Sequence, residues 1–280
     1  MTDRAEAARP PLYHARLRIG ATLALLLLLG GCASLVWTPY PVDQFNPAAQ
    51  LQDPDAAHLL GTDTLGRDLL SMTMKGILTS FVVAAVAGGI GLFIGGPLGA
   101  AAASGDVWVE RVLLGGSGFF MGLSALGIVV VLTALVGPSA LNAMLAIGLF
   151  NVAVIARGTH EVLVGFRGRD HIAASRLAGV TGWELTRRHV LPRALPALAA
   201  IAVSQLAAGV LLEAGLSFVG LGSQPPGSSF GLMLRDAQSV MLFEPLPVIV
   251  PGVALWLVTV SLGLVAGGIR HRNGEARDAA

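Results

Sequence analysis

Forty-five consecutive residues, Val112–Ala156, contain no Asp, Glu, Lys or Arg. Four further stretches share this property: Ile19–Val42 with 24 residues, Gly76–Gly105 with 30, Ala194–Leu212 with 19 and Pro245–Ile269 with 25. Crossing ~30 Å of hydrocarbon takes roughly 20 helical residues. Lipid offers no hydrogen bonds, so each backbone amide must find its partner inside the segment, and these stretches are predicted to be helices. The longest run exceeds a single crossing. Gly137-Pro138-Ser139 interrupts it, and Pro138 has no N–H to give a helical ladder. Six spans are therefore expected, at about 18–37, 78–103, 110–136, 141–157, 196–219 and 247–269. The fold class is an all-α polytopic membrane protein with six transmembrane helices. Composition agrees: 12% charged residues against 54% hydrophobic ones exclude intrinsic disorder. The single cysteine excludes a disulfide scaffold.

An even number of spans puts both termini on one side, and the basic residues choose the side. The N-terminal tail, the short segment with Arg111, the long loop after the fourth span and the C-terminal tail together hold 15 of the 18 basic residues. Only Arg67, Lys75 and Arg235 fall on the opposite side. The excess of Lys and Arg in cytoplasmic loops places both termini in the cytoplasm. The expected organisation is a cytoplasmic N-tail over 1–17, a transmembrane helix over 18–37 and an extracytoplasmic loop over 38–77. A five-helix core domain over 78–269 follows, with a cytoplasmic loop at 158–195 and an extracytoplasmic loop at 220–246, then a cytoplasmic tail over 270–280.

Near the N-terminus, Arg16, Arg18, a Leu-rich run and Leu29-Gly30-Gly31-Cys32 imitate a lipoprotein signal. The apolar run continues through Leu35, Val36 and Trp37, so an uncleaved first span with Cys32 as a small packing residue is expected.

Catalytic chemistry is hard to assemble from this chain. Gly115-Gly116-Ser117-Gly118 matches the GxSG of intramembrane serine proteases, but the histidines fall in loops and tails: His14, His58, His160, His171, His189 and His271. Close helix packing is the expected role of those glycines. A phosphate-binding GxxxxGK[ST] loop is impossible, because Lys75 is the sole lysine and Met74 precedes it. No HExxH motif or cysteine pair suggests a metal site.

The long inner loop carries more information. Asp170 can cap a short helix with a small face of Ala173, Ala174 and Ala178, which Gly179 ends. Thr181 and Glu184 have capping-box spacing and restart the chain in a helix with Trp183, Arg187 and Arg188. Pro192 and Pro196 then lead into the fifth span. A short alanine-faced helix held between two spans suits insertion into a groove on a partner. A basic loop lying on anionic lipid is the alternative.

This segment resembles the coupling loop of ABC-importer permeases, and most closely that of the dipeptide/oligopeptide/nickel family, AARxLG followed by HxLPxxLP. The matching residues are Ala174, Ser175, Arg176, Gly179, His189, Leu191, Pro192 and Pro196, with Ala173 where an acidic residue names the motif. Leu60-Gly61-Thr62-Asp63-Thr64-Leu65-Gly66-Arg67-Asp68 resembles the family's LGTDxLGRD signature, and Leu212–Gly222 resembles LEAxLSFLGLG. Gln224-Pro225-Pro226 follows as in the family, while Ser228 and Phe230 replace a usual proline and tryptophan, and Met72 stands where a basic residue is common.

The resemblance implies a type I ABC importer membrane subunit in the bacterial cytoplasmic (inner) membrane. It implies a second homologous permease subunit, two cytoplasmic ABC ATPase subunits, an extracytoplasmic solute-binding protein and the lipid bilayer as partners, and no nucleic acid. No cofactor or metal is expected on this chain; ATP is used by the partner ATPases. The implied ATPase-coupling loop contains Asp170, Ala174, Ser175, Arg176, Gly179, Trp183 and Pro192, and the extracytoplasmic motif Gly61, Asp63, Gly66, Arg67 and Asp68. Glu213 and Ser217 are candidates for a pathway or gate, or else for a structural hydrogen bond that orders the outer loop. Gly91, Gly95 and Gly99 form a GxxxGxxxG row, and Pro97 is expected to bend its span. Short peptides are the expected cargo, nickel or a nickel chelate the alternative, and a non-transport membrane scaffold the alternative of another class.

Overall fold

The computed structural model describes residues 12–103, 106–167 and 191–278. Nine α-helices are described: α1 (Leu12–Ala33), α2 (Leu69–Ile90), α3 (Gly96–Ala102), α4 (Val107–Gly122), α5 (Ala125–Val136), α6 (Ala140–Arg167), α7 (Leu191–Phe218), α8 (Phe230–Ala237) and α9 (Leu246–Asp278). A π-helical turn, Gly91–Gly95, joins α2 to α3. Among the described residues the one extended pairing is an isolated bridge between Thr62 and Asp68. Five stretches among the described residues are long and apolar enough to cross a membrane: Ala15–Ala33, Leu69–Ala102, Ala140–Phe166, Leu191–Phe218 and Leu246–Arg270.

The expected span at 110–136 is two helices, not one. The Leu123 N–H closes α4 on the Phe119 carbonyl at 3.2 Å. Ser124, at φ 0° and ψ 143°, opens α5 at an angle a regular helix does not allow. Glycines at 115, 116, 118 and 122 weaken the helix just before the break. The boundary at Gly137-Pro138 falls where the sequence puts it: Gly137 has φ +91° and its carbonyl accepts from Asn142 Nδ2 at 2.5 Å.

Other boundaries move outward. α2 starts at Leu69 rather than near 78, because Asp68 caps it, its Oδ2 accepting from the Ser71 N–H at 2.8 Å. α6 runs on to Arg167 and α9 to Asp278, so both carry charged turns beyond their apolar stretches.

The core lies where α2, α6, α7 and α9 meet. Ile77, Ala84, Val210, Ala214, Val258 and Leu262 form one buried cluster between α2, α7 and α9, sealed by Phe230 at the start of α8. Val83, Ala87, Ala143, Ala146 and Ile147 form another between α2 and α6, with Val129 of α5 against it. Small residues dominate, as expected when backbones must approach closely without a solvent-driven force between helices. At Gly20 any Cβ would press into Ser261, Leu264 and Val265 of α9, so that glycine lets α1 lie flush on α9. Cys32 is a free cysteine exposed near the end of α1, not in the bundle interior.

Candidate functional site

The signature Leu60–Asp68 folds into a knot that fastens the start of α2. Gly61 and Gly66 have φ +77° and +72°, which β-carbons disfavour, and a Cβ on Gly66 would collide with the Asn46 carbonyl. Asp63 sits inside the turn: Oδ1 accepts from the Leu65 and Arg67 N–H groups, both at 2.8 Å. Its Oδ2 pairs with Arg67 Nε at 2.7 Å and Nη2 at 2.6 Å. Arg67 Nη2 then reaches Asp236 Oδ2 in α8 at 3.0 Å. Asp68 Oδ2 accepts from the Ser71 hydroxyl at 2.7 Å, and Oδ1 lies 3.0 Å from His58 Nδ1. The Tyr40 ring sits 4.5 Å from the His58 ring. Thr62, Asp63, Arg67 and Asp68 are all buried. Sequence reading finds the motif but not Asp236, which lies 169 residues away and has no local signal.

Glu213 is the second centre. It is fully buried in α7, and three described elements besides α7 turn hydroxyls toward it. Ser217 Oγ donates to Oε1 at 2.7 Å, Ser223 Oγ to Oε1 at 3.3 Å and Ser80 Oγ of α2 to Oε2 at 3.1 Å. The Ser229 hydroxyl is a fourth partner and also caps α8. The chain reaches Ser223 through a glycine-capped helix end. Gly220 has φ +89°, the Leu221 N–H bonds the Leu216 carbonyl at 2.8 Å and the Gly220 N–H bonds the Ser217 carbonyl at 3.0 Å. Gly222 must lack a side chain because a Cβ would strike Ser217 Oγ. Gly231 must lack one because it would strike the Ala214 carbonyl. The signature's glycines and serines thus fold the segment between α7 and α8 back onto the carboxylate.

Removing that carboxylate orphans its hydroxyls. Glu213→Ala is expected to cost roughly 3 kcal/mol, given ~1–3 kcal/mol for each buried polar group left unpaired. Glu213→Gln keeps an acceptor, and serine hydroxyls can turn to meet an amide, so it is expected to assemble normally. Thermal unfolding of the purified subunit in detergent, followed by tryptophan fluorescence, compares the two.

The GxxxGxxxG row lies along one helix face and docks on α6. A Cβ on Gly91 would press on Asn151, one on Gly95 on the Val152 carbonyl and one on Gly99 on the Ala156 carbonyl. Pro97 distorts this span, but as a wide turn ahead of the proline. In a regular helix the ring would crowd the residue 93 carbonyl, and the π-helical turn Gly91–Gly95 opens the ladder there. Asn151 is fully buried against that turn, and its amide has no hydrogen-bond partner among the described residues.

Of the expected coupling-loop residues, Asp170, Ala174, Ser175, Arg176, Gly179 and Trp183 lie outside the described residues. Pro192 is exposed in the first turn of α7, beside Leu191, which packs on Leu163 and Phe166. His160 is not in a loop: it stands on α6 with Nε2 3.2 Å from Glu110 Oε1 of α4, although the two are not aligned for a hydrogen bond. Ser117 is two turns of α4 away, ~10 Å along the axis, and donates to the Leu114 carbonyl, so it forms no pair with His160.

The sequence pattern of binding-protein-dependent transport system inner membrane components matches residues 95–273. The chain belongs to that family. It is similar to a putative peptide permease of Brucella suis biovar 1, 32% identical over 253 residues that cover 90% of this chain and 84% of the relative. It is 31% identical over 254 residues to the probable D,D-dipeptide transport system permease of Escherichia coli K12, covering 89% of this chain and 84% of the relative. The nickel transport system permease of the same strain is 30% identical over 257 residues, covering 90% of this chain and 91% of the relative. This permease is therefore a multi-pass, non-catalytic subunit of a bacterial inner-membrane importer that works with a solute-binding protein and ATPase partners.

Proposed function

We propose that this permease carries di- or oligopeptides inward as part of an ATP-driven importer, beside a second homologous permease and two ATPase subunits. The support is the ordered set of three family signatures, together with relatives named peptide and dipeptide permeases over about nine-tenths of the chain. Nickel import is the second reading, favoured by the nickel permease relative.

In this reading both termini are cytoplasmic. The break between α4 and α5 leaves these two helices to make the third crossing jointly. The segment 158–195 meets the ATPases through Asp170, Ala174, Ser175, Arg176, Gly179 and Trp183. Closure of the ATPases pushes on that segment, α6 and α7 tilt with it, and the pathway alternates its access. The row Gly91, Gly95 and Gly99 keeps α3 tight against α6 so that the pair moves as a body. Glu213 and Ser217 act as the clamp of the outer rim, since a fully buried carboxylate surrounded by hydroxyls faces no open pathway.

Gly179→Asp is expected to abolish co-purification of the ATPases, or uptake, while leaving the permease in the membrane at its normal level. Normal ATPase association together with normal uptake in that variant overturns the docking assignment. Uptake of radiolabelled dialanine by cells carrying the whole system, competed with nickel, decides between the two cargoes.

A further inference from the structure

A cavity of about 330 Å³ opens between α4, α6, α7 and α9, away from the glycine-packed side of α6. Arg157 and Glu161 of α6 and Arg270 of α9 line it, with Ser204 and Gln205 of α7 beside them. Arg157 directly follows the uncharged run Val112–Ala156, and Arg270 directly follows Pro245–Ile269. The cavity therefore lies at one boundary of the apolar layer, at the ends of α6 and α9 that carry the basic excess.

None of the three charged groups has an ion-pair partner among the described residues. Arg157 makes a single long contact, Nη2 to the Leu114 carbonyl at 3.4 Å. Charges beside an apolar layer ordinarily pair with one another. Here two guanidiniums and one carboxylate share a cavity with no ion pair among the described residues, next to a hydroxyl, an amide and the apolar walls of Met121 and Ile201.

We propose that this cavity is a binding station for a zwitterionic short peptide on the inner part of its path. Arg157 and Arg270 would take the peptide carboxylate, Glu161 its ammonium group, and Met121 and Ile201 an apolar side chain. The inference rests on the peptide-import reading and adds a site to it. Guanidinium forks match carboxylates in plane and in hydrogen-bond number. The volume falls at the lower end of small-molecule sites, about 300–1,000 Å³, which suits a dipeptide and not a longer chain. An anionic lipid or inorganic phosphate would satisfy the arginines but set its negative charge against Glu161, so a ligand bearing both signs fits the three groups better.

The test uses the complete complex of permeases and ATPases in nanodiscs of phosphatidylcholine, without the solute-binding protein. Radiolabelled dialanine is expected to bind saturably. C-amidated dialanine and N-acetyl-dialanine should each compete at least about tenfold more weakly, as loss of one charge-assisted contact predicts. Arg157→Gln and Arg270→Gln should weaken dialanine while erasing the difference between free and amidated carboxyl ends. Glu161→Gln, at an exposed position, should erase the difference between free and acetylated amino ends. Absence of saturable binding, equal binding in all three variants, or displacement by inorganic phosphate or anionic lipid at the same strength as by dialanine overturns the site. If cells take up dialanine while the nanodiscs bind none, the site falls and the import reading stands. If cells take up nickel and not dialanine, the import reading falls and the site with it.

Discussion

Arg67→Ala is expected to cost about 3–5 kcal/mol of stability, the range for removing one partner of a buried ion pair. The reason is what remains behind. Asp63 is 5% exposed, and both Arg67 contacts to its Oδ2 vanish together. Asp236 loses its 3.0 Å partner at the same time, so α8 is released from the turn that fastens α2. At the usual size dependence, this lowers the thermal midpoint by roughly 10 °C. Arg67→Lys should recover part of the loss, since an ammonium neutralises Asp63 but cannot hold Nε and Nη2 contacts to two carboxylates at once. Asp236→Asn should be milder than Arg67→Ala, because it leaves the Asp63 pair intact. Tryptophan fluorescence of the detergent-purified subunit on heating ranks the three. Equal midpoints for wild type and Arg67→Ala would show that the turn stands without its arginine.

Gly99→Leu and Gly95→Leu are expected to be severe for a different reason. Their β-carbons would meet the Ala156 and Val152 carbonyl oxygens of α6, which are backbone and cannot rotate away. Overpacking of side chains costs ~1–3 kcal/mol, and a backbone obstacle puts these substitutions at the upper end, about 3 kcal/mol each. Gly96 and Gly89 provide the control. They lie in the same continuous stretch and a Cβ there meets nothing within 4 Å. Leucine at either should be neutral or slightly stabilising, since glycine is ~1 kcal/mol worse than alanine inside a helix. Membrane levels and thermal midpoints of the four variants compare the two faces directly. If Gly96→Leu proves as damaging as Gly99→Leu, close approach to α6 is not what the row provides.

Much of the bundle could be read from the placement of charge, because an unpaired charge is costly in lipid, although Lys75 and Glu213 fall within spans. The stop at Gly137-Pro138 was equally plain, since both residues break a helix by their own covalent structure. The break at Leu123–Ser124 was not, because four glycines spaced through α4 read as a packing surface as readily as a weak point. Helix ends in water also escaped. Past Ala156 nothing in lipid requires the chain to stay helical, yet α6 continues to Arg167. At the candidate sites, the sequence supplied the local half of each contact. Asp63 with Arg67 and Glu213 with Ser217 are four residues apart. Asp236 and Ser80 come from 169 and 133 residues away, where only the packed bundle brings them close. Ser229 carried a readable signal, a capping serine before Phe230, although its second role toward Glu213 did not.

The split between α4 and α5 constrains how the subunit sits among its neighbours. α5 has 12 residues and extends ~18 Å, well short of the ~30 Å hydrocarbon layer. Around Met121–Ser124 the surface is open, and the first N–H groups of α5 have no preceding turn to receive them. Peptide groups without partners cannot face acyl chains; such backbone persists at depth only against protein or water. The exposed flank of α5, with Leu126, Val131 and Leu135, suits lipid, but the break at Leu123–Ser124 is a point that lipid cannot cover. Water or a neighbouring protein must therefore reach Leu123 and Ser124, whatever the rest of the helix pair faces.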